Sequence, residues 1–221
     1  MGYDWNFGAV FHHYRELMSG LEGTVKLIVV VLAIALPVGA MLAVIRVKQI
    51  PVLRRVVVAY IDFFRTSVAL VLVCWCYYAL PVLVPVQIST FAAVVIALSL
   101  QASAFAAEIF RSGIESVASG QWEAARALGF SESLIMRFVV GPQAIRRVLP
   151  VLFVLIVEVT KNTALAGVVS YNELFYNAST IASTTYRGVE TLTVVGLIYL
   201  IPLLGASQFS RWLERRLARA D

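Results

Sequence analysis

The sequence predicts an all-α membrane protein with about five transmembrane helices. Sixty per cent of its 221 residues are hydrophobic and 14% are charged, whereas a soluble domain has about 45–50% and about 25%. The apolar residues form five runs, each long enough for one crossing, because roughly 20 helical residues span the hydrocarbon core of a bilayer. This composition excludes a water-soluble globule or a disordered chain, and we interpret residues 1–221 as a single transmembrane domain.

The first apolar run covers residues 24–45, and Pro37 and Gly39 are expected to bend it. Pro81 and Pro85 predict a short turn after the second run. The polar residues 171–188 predict a loop between the fourth and fifth runs. The second to fifth runs cover residues 56–80, 88–110, 144–170 and 189–209.

The basic residues predict the orientation of the chain in the membrane. Residues 46–55, residues 111–147 and the tail after residue 209 contain four, five and four lysine or arginine residues, 13 of the 18 in the chain. Lys48 and Arg219 are among them. Because cytoplasmic loops collect lysine and arginine, we expect a periplasmic N-terminus and a cytoplasmic C-terminus. The net charge of +5 then indicates membrane topology and not a nucleic-acid partner.

The loop of residues 111–142 is long and predicts a helix, a glycine turn and a second helix. Residues 123–128 are mostly strong helix formers, and Gly129 is suited to ending the first helix. Ser131 can cap the second helix, whose apolar side is expected to carry Leu134, Ile135 and Phe138. Small side chains in the first helix permit close approach by another protein. The alternative is a surface helix that covers only its own bundle.

A motif in this loop resembles the EAA loop of the inner-membrane permeases of ATP-binding-cassette (ABC) importers. That pattern is Glu-Ala-Ala, three residues, Gly, nine residues, Ile, any residue, and Leu-Pro. The corresponding residues here are Glu123, Ala124, Ala125, Gly129, Val139, Gly141 and Pro142. The spacing matches throughout, and the departures are Val139 for Ile and Gly141 for Leu.

Other segments resemble the polar amino-acid branch of these permeases, which serves histidine, glutamate, glutamine, arginine and opines. Residues 106–130 resemble its AEI-RGGI…GQ-EAA-ALG pattern, and residues 161–165 resemble its Lys-Asp-Thr-Ser-Leu. Residues 171–174 resemble the Glu-Leu signature that follows, and residues 65–68 stand where Arg-Gly-Thr-Pro is usual. The resemblance covers about residues 20–215 and is nearest to the glutamate/aspartate permeases.

The resemblance implies a type I ABC importer architecture in the bacterial inner membrane. Two permease subunits, identical or different, would form a dimer that works with two ATP-binding subunits and a periplasmic amino-acid-binding protein. ATP and Mg²⁺ would bind the partner ATPase, and this chain would be no enzyme and hold no cofactor or metal. The expected contact with the ATPase is a coupling helix that contains Gly120, Glu123, Ala124, Ala125 and Gly129.

Polar residues within apolar runs are candidates for a substrate pathway, because polar groups in the bilayer are costly. Glu158 and Asn162 are four residues apart, so they share a helix face, where a carboxylate could receive a substrate ammonium group. Gln101 and Arg65 are further candidates. In the resembling family, the acidic pathway residue often lies one turn earlier, near Leu155.

Each of these candidates also has a structural explanation. Glu158 could pair with Lys161, Gln101 could form an interhelical hydrogen bond, and Arg65 could pair with Asp62 at a spacing of three. The pairing with Asp62 is favoured for Arg65.

Two other functional classes remain open. A self-contained ion-coupled carrier or channel would explain Glu158 and Lys161 but leaves residues 111–142 without a role. A membrane scaffold without transport is the third possibility. The adjacent His12 and His13 point in different directions on a helix and do not indicate a metal site.

Overall fold

The computed structural model describes residues 3–47, 51–84 and 86–217. Lys48, Pro85 and Arg219, which supported the loop and orientation predictions, lie outside these ranges. The helices are α1 (Phe7–Phe11), α2 (Tyr14–Val47), α3 (Pro51–Thr66), α4 (Ala69–Cys74), α5 (Leu80–Leu83), α6 (Thr90–Glu115), α7 (Ser119–Ala127), α8 (Glu132–Leu134), α9 (Gly141–Thr163), α10 (Leu174–Thr185) and α11 (Gly188–Leu217). The π-helical turns Trp75–Ala79 and Ile135–Val140 join α4 to α5 and α8 to α9, and the 3₁₀ helix Ala164–Val169 extends α9.

The described residues contain four helices that are long and apolar enough to cross a membrane, and a bent pair that supplies a fifth span. The four are α2, α6, the continuous helical stretch Glu132–Val169, and α11. The bent pair joins Val52–Thr66 to Ala69–Leu83 at 105°. The predicted fold class is therefore confirmed, but the second apolar run is two helices and not one.

The hydroxyl groups at the break explain why α3 ends although the usual glycine and proline are absent. Thr66 donates its hydroxyl to the Asp62 carbonyl at 2.7 Å, and Ser67 donates to the Phe63 carbonyl at 2.6 Å. The Phe63 carbonyl also accepts the Ser67 amide at 3.1 Å, so the hydroxyl groups compete with backbone amides for the last carbonyls of α3, which disfavours continuation of the helix. Val68 then adopts an extended conformation (φ −76°, ψ 120°) and starts α4 in a new direction.

One other region differs from what the sequence predicts. Residues 171–188 are not simply a loop, because they contain α10. The Glu173 carboxylate caps this helix by accepting the amides of Phe175 and Tyr176 at 2.8 and 2.5 Å. In α2, the helix continues through Pro37 and Gly39 without interruption. Gly39 instead allows close packing, since a Cβ there would collide with Ala106 of α6.

The core is built around α6, which packs between α2, α9 and the bent pair. Many of the buried α6 residues are small, so neighbouring backbones approach closely, as is usual between helices in membranes. A second buried cluster joins α1, α2, α10 and α11 at the other end of the molecule from α7. It consists of Val10, Leu17, Leu174, Ala178, Ile181 and Val195.

Candidate functional site

The first candidate site is α7, the helix that contains the Glu-Ala-Ala motif. Its C-terminus has the two hydrogen bonds of a Schellman cap: Phe130 N–H to the Ala125 carbonyl at 3.1 Å and Gly129 N–H to the Arg126 carbonyl at 2.9 Å. Gly129 has φ +79°, a left-handed conformation that glycine adopts without the steric penalty of a side chain. The predicted glycine turn is therefore present at the predicted residue.

Most of α7 faces away from the protein. Ala125 is its one buried residue among those described, whereas Gly120, Glu123 and Ala124 are exposed. A Cβ added at Gly120 or Gly129 would meet nothing within 4 Å. Beyond the helix, the Leu128 side chain is 75% exposed. The five residues predicted to contact an ATPase thus lie on one helix and its cap, and four of them are accessible.

Contacts on both sides hold α7 against the bundle. Ala125 packs in a buried cluster with Ile114, Val117, Ile135, Val140 and Ala144. Arg126 donates to Glu132 at 2.9 Å, which ties α7 to α8. Arg147 of α9 donates to the Ser116 carbonyl just before α7. These contacts connect α7 to α6, α8 and α9.

The helical stretch after α7 differs from its predicted pattern. Ser131 is the N-cap residue, but its side chain makes no capping bond, and its backbone carbonyl accepts the Ile135 amide at 2.9 Å. Ile135 is buried, whereas Leu134 and Phe138 are exposed. Residues 135–140 are π-helical, so the three-residue spacing that would place Ile135 and Phe138 on one face of an α-helix does not apply here.

The second candidate site is a small cavity between α6 and α9. Its lining brings together three of the four residues predicted for the substrate pathway: Gln101, Glu158 and Asn162. Its volume is about 10 Å³, room for about one water molecule and far less than an amino acid. The remaining lining is apolar and consists of Leu98, Ala102, Phe105, Leu155 and Val159.

Two polar residues of this cavity already have partners. Gln101 donates its side-chain amide to the Ser67 carbonyl at 2.8 Å, and Glu158 Oε2 lies 2.5 Å from Lys161 Nζ. The interhelical bond and the ion pair that the sequence left as alternatives are both present. Because the same side chains also line the cavity, a structural and a transport role are compatible for each.

Arg65, the fourth predicted pathway residue, lies outside this cavity. Its guanidinium group lies 5.7 Å from the centroid of the Phe105 ring, which itself lines the cavity. It contacts Glu108 Oε1 at 3.8 Å instead of pairing with Asp62. The packing of α3 against α6 brings Arg65 to a carboxylate that the spacing along α3 does not reveal.

Glu108 is the centre of a charge cluster that connects three helices. Arg46 of α2 and Arg65 of α3 both contact its carboxylate, as does Arg111 of α6 at 2.8 Å. Arg111 lies three residues beyond Glu108, a spacing at which side chains on a helix meet. The convergence of three cations on a mostly buried carboxylate offsets the cost of removing that charge from water.

Sequence reasoning missed the apolar wall of the cavity. Leu98, Ala102 and Phe105 follow the four- and three-residue spacing of one helix face, and Gln101 borders the same face, so the helical period carries this signal. Leu155, near which the resembling family often has an acidic residue, also lines the cavity. Among the described residues, no group of three or more His, Cys, Asp or Glu side chains could hold a metal ion.

The chain is similar to known transport proteins over nearly its whole length. Residues 35–219 match the family described as "Binding-protein-dependent transport system inner membrane component". The chain is 33% identical over 215 residues to the probable glutamine ABC transporter permease protein GlnM of Bacillus subtilis (strain 168), covering 97% of this chain and 99% of GlnM. It is 30% identical over 223 residues to the glutamate/aspartate import permease protein GltK of Escherichia coli O157:H7, covering 98% and 100%.

A solved structure gives the same result for the fold. The crystal structure of an amino acid ABC transporter with histidines contains a chain that superposes with a TM-score of 0.88 at 32% identity. The match covers 97% of this chain and 100% of that one.

Proposed function

Because the chain belongs to the family of inner-membrane components of binding-protein-dependent transport systems and is an amino-acid ABC transporter permease, we propose that α7 couples it to a partner ATPase during import of a polar amino acid. In this proposal ATP and Mg²⁺ bind the partner ATPase. This chain supplies the substrate pathway and the coupling helix α7. The remaining partners are a second permease subunit, a second ATP-binding subunit and a periplasmic amino-acid-binding protein.

The observation that carries this proposal is an exposed, capped helix at the position of the Glu-Ala-Ala motif. A helix with one buried residue gains little stability from its own bundle. Its cap and its contacts with α6, α8 and α9 support it instead. A rigid exposed projection can transmit movement of a bound ATPase to the spans, which coupling between two states requires.

The topology follows from the same assignment. With α7 in the cytoplasm, α6 runs inward and α9 runs outward, so the N-terminus is periplasmic and the C-terminus is cytoplasmic. Arg46 at the end of α2, Arg146 and Arg147 near the start of α9, and Arg215 at the end of α11 support this orientation, whereas Lys161 at the other end of α9 does not.

The cavity between α6 and α9 is the proposed substrate pathway in a closed form. Glu158 would receive the α-ammonium group that all amino acids share, and Asn162 and Gln101 would supply further hydrogen bonds. The cavity of about 10 Å³ must widen before an amino acid enters. ATPase movement, transmitted through α7 to α6 and α9, would supply that change. The names of GlnM and GltK support glutamine, glutamate or aspartate as the first substrates to assay.

Backbone variants at Gly129 test the coupling role in proteoliposomes that contain the assembled transporter. The two variants Gly129→Ala and Gly129→Asn both add a Cβ in open space, but alanine in a left-handed conformation costs about 1–2 kcal/mol, whereas asparagine tolerates it. We expect Gly129→Ala to lower substrate-stimulated ATP hydrolysis and uptake more than Gly129→Asn, with equal membrane insertion. Glu123→Arg should also uncouple hydrolysis from uptake.

The outcome that would contradict the proposal is equally specific. Wild-type uptake and hydrolysis in Glu123→Arg and Gly129→Ala would exclude α7 as the coupling element. Uptake by the purified chain alone, driven by an ion gradient and independent of ATP, would favour the self-contained carrier.

A further inference from the structure

The N-terminal segment presents a continuous row of aromatic side chains to its surroundings. Trp5 and Phe7 stack with ring centroids 5.6 Å apart and planes at 5°, and Tyr3 contacts Trp5 edge-on at 5.1 Å. Trp5 is 56% exposed and Phe11 is 60% exposed. Nothing in the proposed coupling or substrate pathway uses this row.

The segment is held in place by one fully buried carboxylate, Glu190 of α11. Tyr3 donates its hydroxyl to Glu190 Oε2 at 2.6 Å, and the Asn6 amide donates to Oε1 at 3.0 Å. Arg187 donates to the Asp4 carbonyl at 2.7 Å and to Glu190 Oε1 at 3.4 Å. A buried carboxylate is costly unless it is hydrogen-bonded, and here three donors satisfy it: two from the segment, and the guanidinium group of Arg187.

The opposite side of the segment is packed against the bundle. Val10 is fully buried with Leu17 of α2, against Leu174, Ile181 and Val195 of α10 and α11. The segment therefore has a defined inner face and a defined outer face. These contacts fix the position of its aromatic outer face on the folded chain.

The outer face continues an exposed apolar stripe of α2. Tyr14, Met18, Val25 and Val29 are all at least half exposed and follow the spacing of one helix face, which the exposed Glu22 interrupts between Met18 and Val25. Because Val25 and Val29 lie within the first apolar run, this part of the stripe faces lipid or another membrane-embedded surface. The aromatic row meets the stripe at the end where α2 begins.

We propose that residues 3–14 form an aromatic anchor that lies in the lipid headgroup–acyl boundary, and that Glu190 positions it at the start of α11. Tyrosine and tryptophan prefer this boundary because each ring has an apolar body and a polar edge. Continuity with the α2 stripe favours lipid over a soluble partner as the contact. Glu190 is a positioning residue here, since the segment and not Glu190 itself meets the membrane.

Tryptophan fluorescence of the assembled transporter in vesicles tests the lipid contact. The variant with Trp75→Phe, Trp122→Phe and Trp212→Phe leaves Trp5 as the single tryptophan of this chain, and the same transporter with Trp5→Phe in addition gives the background from the partner subunits. In vesicles of phosphatidylethanolamine and phosphatidylglycerol, lipids brominated near the glycerol backbone should quench Trp5 more than lipids brominated near the chain ends. Strong quenching by aqueous iodide without lipid quenching would overturn the proposal, as would protection from both quenchers, which indicates a covering protein.

A second measurement tests the role of Glu190 and does not depend on transport activity. Tyr3→Phe removes one hydrogen bond to this carboxylate, so amide exchange of residues 3–11 should accelerate about tenfold, as expected for a lost bond to a charged group. Tyr78→Phe removes an exposed hydroxyl elsewhere and should leave this exchange unchanged. Equal exchange in the wild type and both variants would show that Glu190 does not hold the anchor.

Discussion

Gln101 donates its side-chain amide to the Ser67 carbonyl over 2.8 Å, at the break where α3 and α4 bend by 105°. The bond satisfies a backbone acceptor that the broken helix leaves without an amide partner. Since Gln101 also lines the cavity shared with Glu158 and Asn162, it connects the bend to the proposed pathway. A movement of the bent pair would therefore change the cavity directly.

Replacing Gln101 with leucine tests this connection. Gln101→Leu should lower stability by about 1 kcal/mol, the usual size of an interhelical hydrogen bond in a membrane, and should reduce uptake. Ser99→Ala is a matched control, because Ser99 Oγ is buried on the same helix with no hydrogen-bond partner in the part of the chain described. Thermal unfolding in detergent and uptake in proteoliposomes measure the two effects. Equal stability of both variants would argue against a role for Gln101 at the bend.

Charge variants of Glu158 and Lys161 separate structural pairing from substrate binding. Glu158→Gln and Lys161→Gln should each lower the amount of inserted protein, because each leaves one charge without its partner. The double variant Glu158→Gln/Lys161→Gln should restore insertion. If Glu158 receives the substrate ammonium, uptake stays low in the double variant. Restored uptake would show that the pair only stabilises α9.

Glycines in α2 and α11 provide a test of close packing. A Cβ at Gly23 would collide with the Asn172 carbonyl, which precedes α10, whereas a Cβ at Gly205 would meet nothing within 4 Å. Gly23→Ala should destabilise the protein by about 1–3 kcal/mol, as overpacking usually does. Gly205→Ala should be neutral or stabilising because alanine favours a helix. The midpoints of thermal unfolding distinguish these outcomes, and similar midpoints would mean that α10 shifts freely away from α2.

Glu173 makes stability depend on pH. Burial raises the pKa of this carboxyl, and its hydrogen bonds with Phe175, Tyr176 and Tyr199 only partly oppose that effect. The folded state thus holds the proton more tightly than the unfolded chain does. The stability that this adds is complete below the ordinary carboxyl pKa of about 4.3 and is lost as pH rises through the raised value.

Unfolding measured from pH 4 to pH 8 checks this sign. Glu173→Gln should flatten this part of the pH profile. Tyr199→Phe removes a 3.0 Å hydrogen bond that holds the charged form, so it should move the loss of stability to higher pH. A Glu173→Gln profile parallel to that of the wild type would contradict the assignment.

Local signals predicted the elements that depend on neighbouring residues. The helical period and apolar runs indicated the spans, and Gly129 marked the end of α7 at the observed residue. The predicted coupling residues fall on one exposed helix for the same reason, since their spacing is contained in a single element. The sequence did not predict the break at residues 66–68, because hydroxyl side chains lie where glycine and proline usually end such a helix.

The sequence by itself determined the membrane class, the approximate spans, the helix–glycine–helix loop and the family. Only the tertiary structure decided which distant polar groups meet: Arg65 with Glu108, Gln101 with Ser67, and Glu190 with Tyr3. Hydropathy and helical period are properties of a short stretch of chain, so they can be evaluated residue by residue. Pairing between helices depends on how closely and at what angle they cross, which the packing of small side chains throughout the bundle sets.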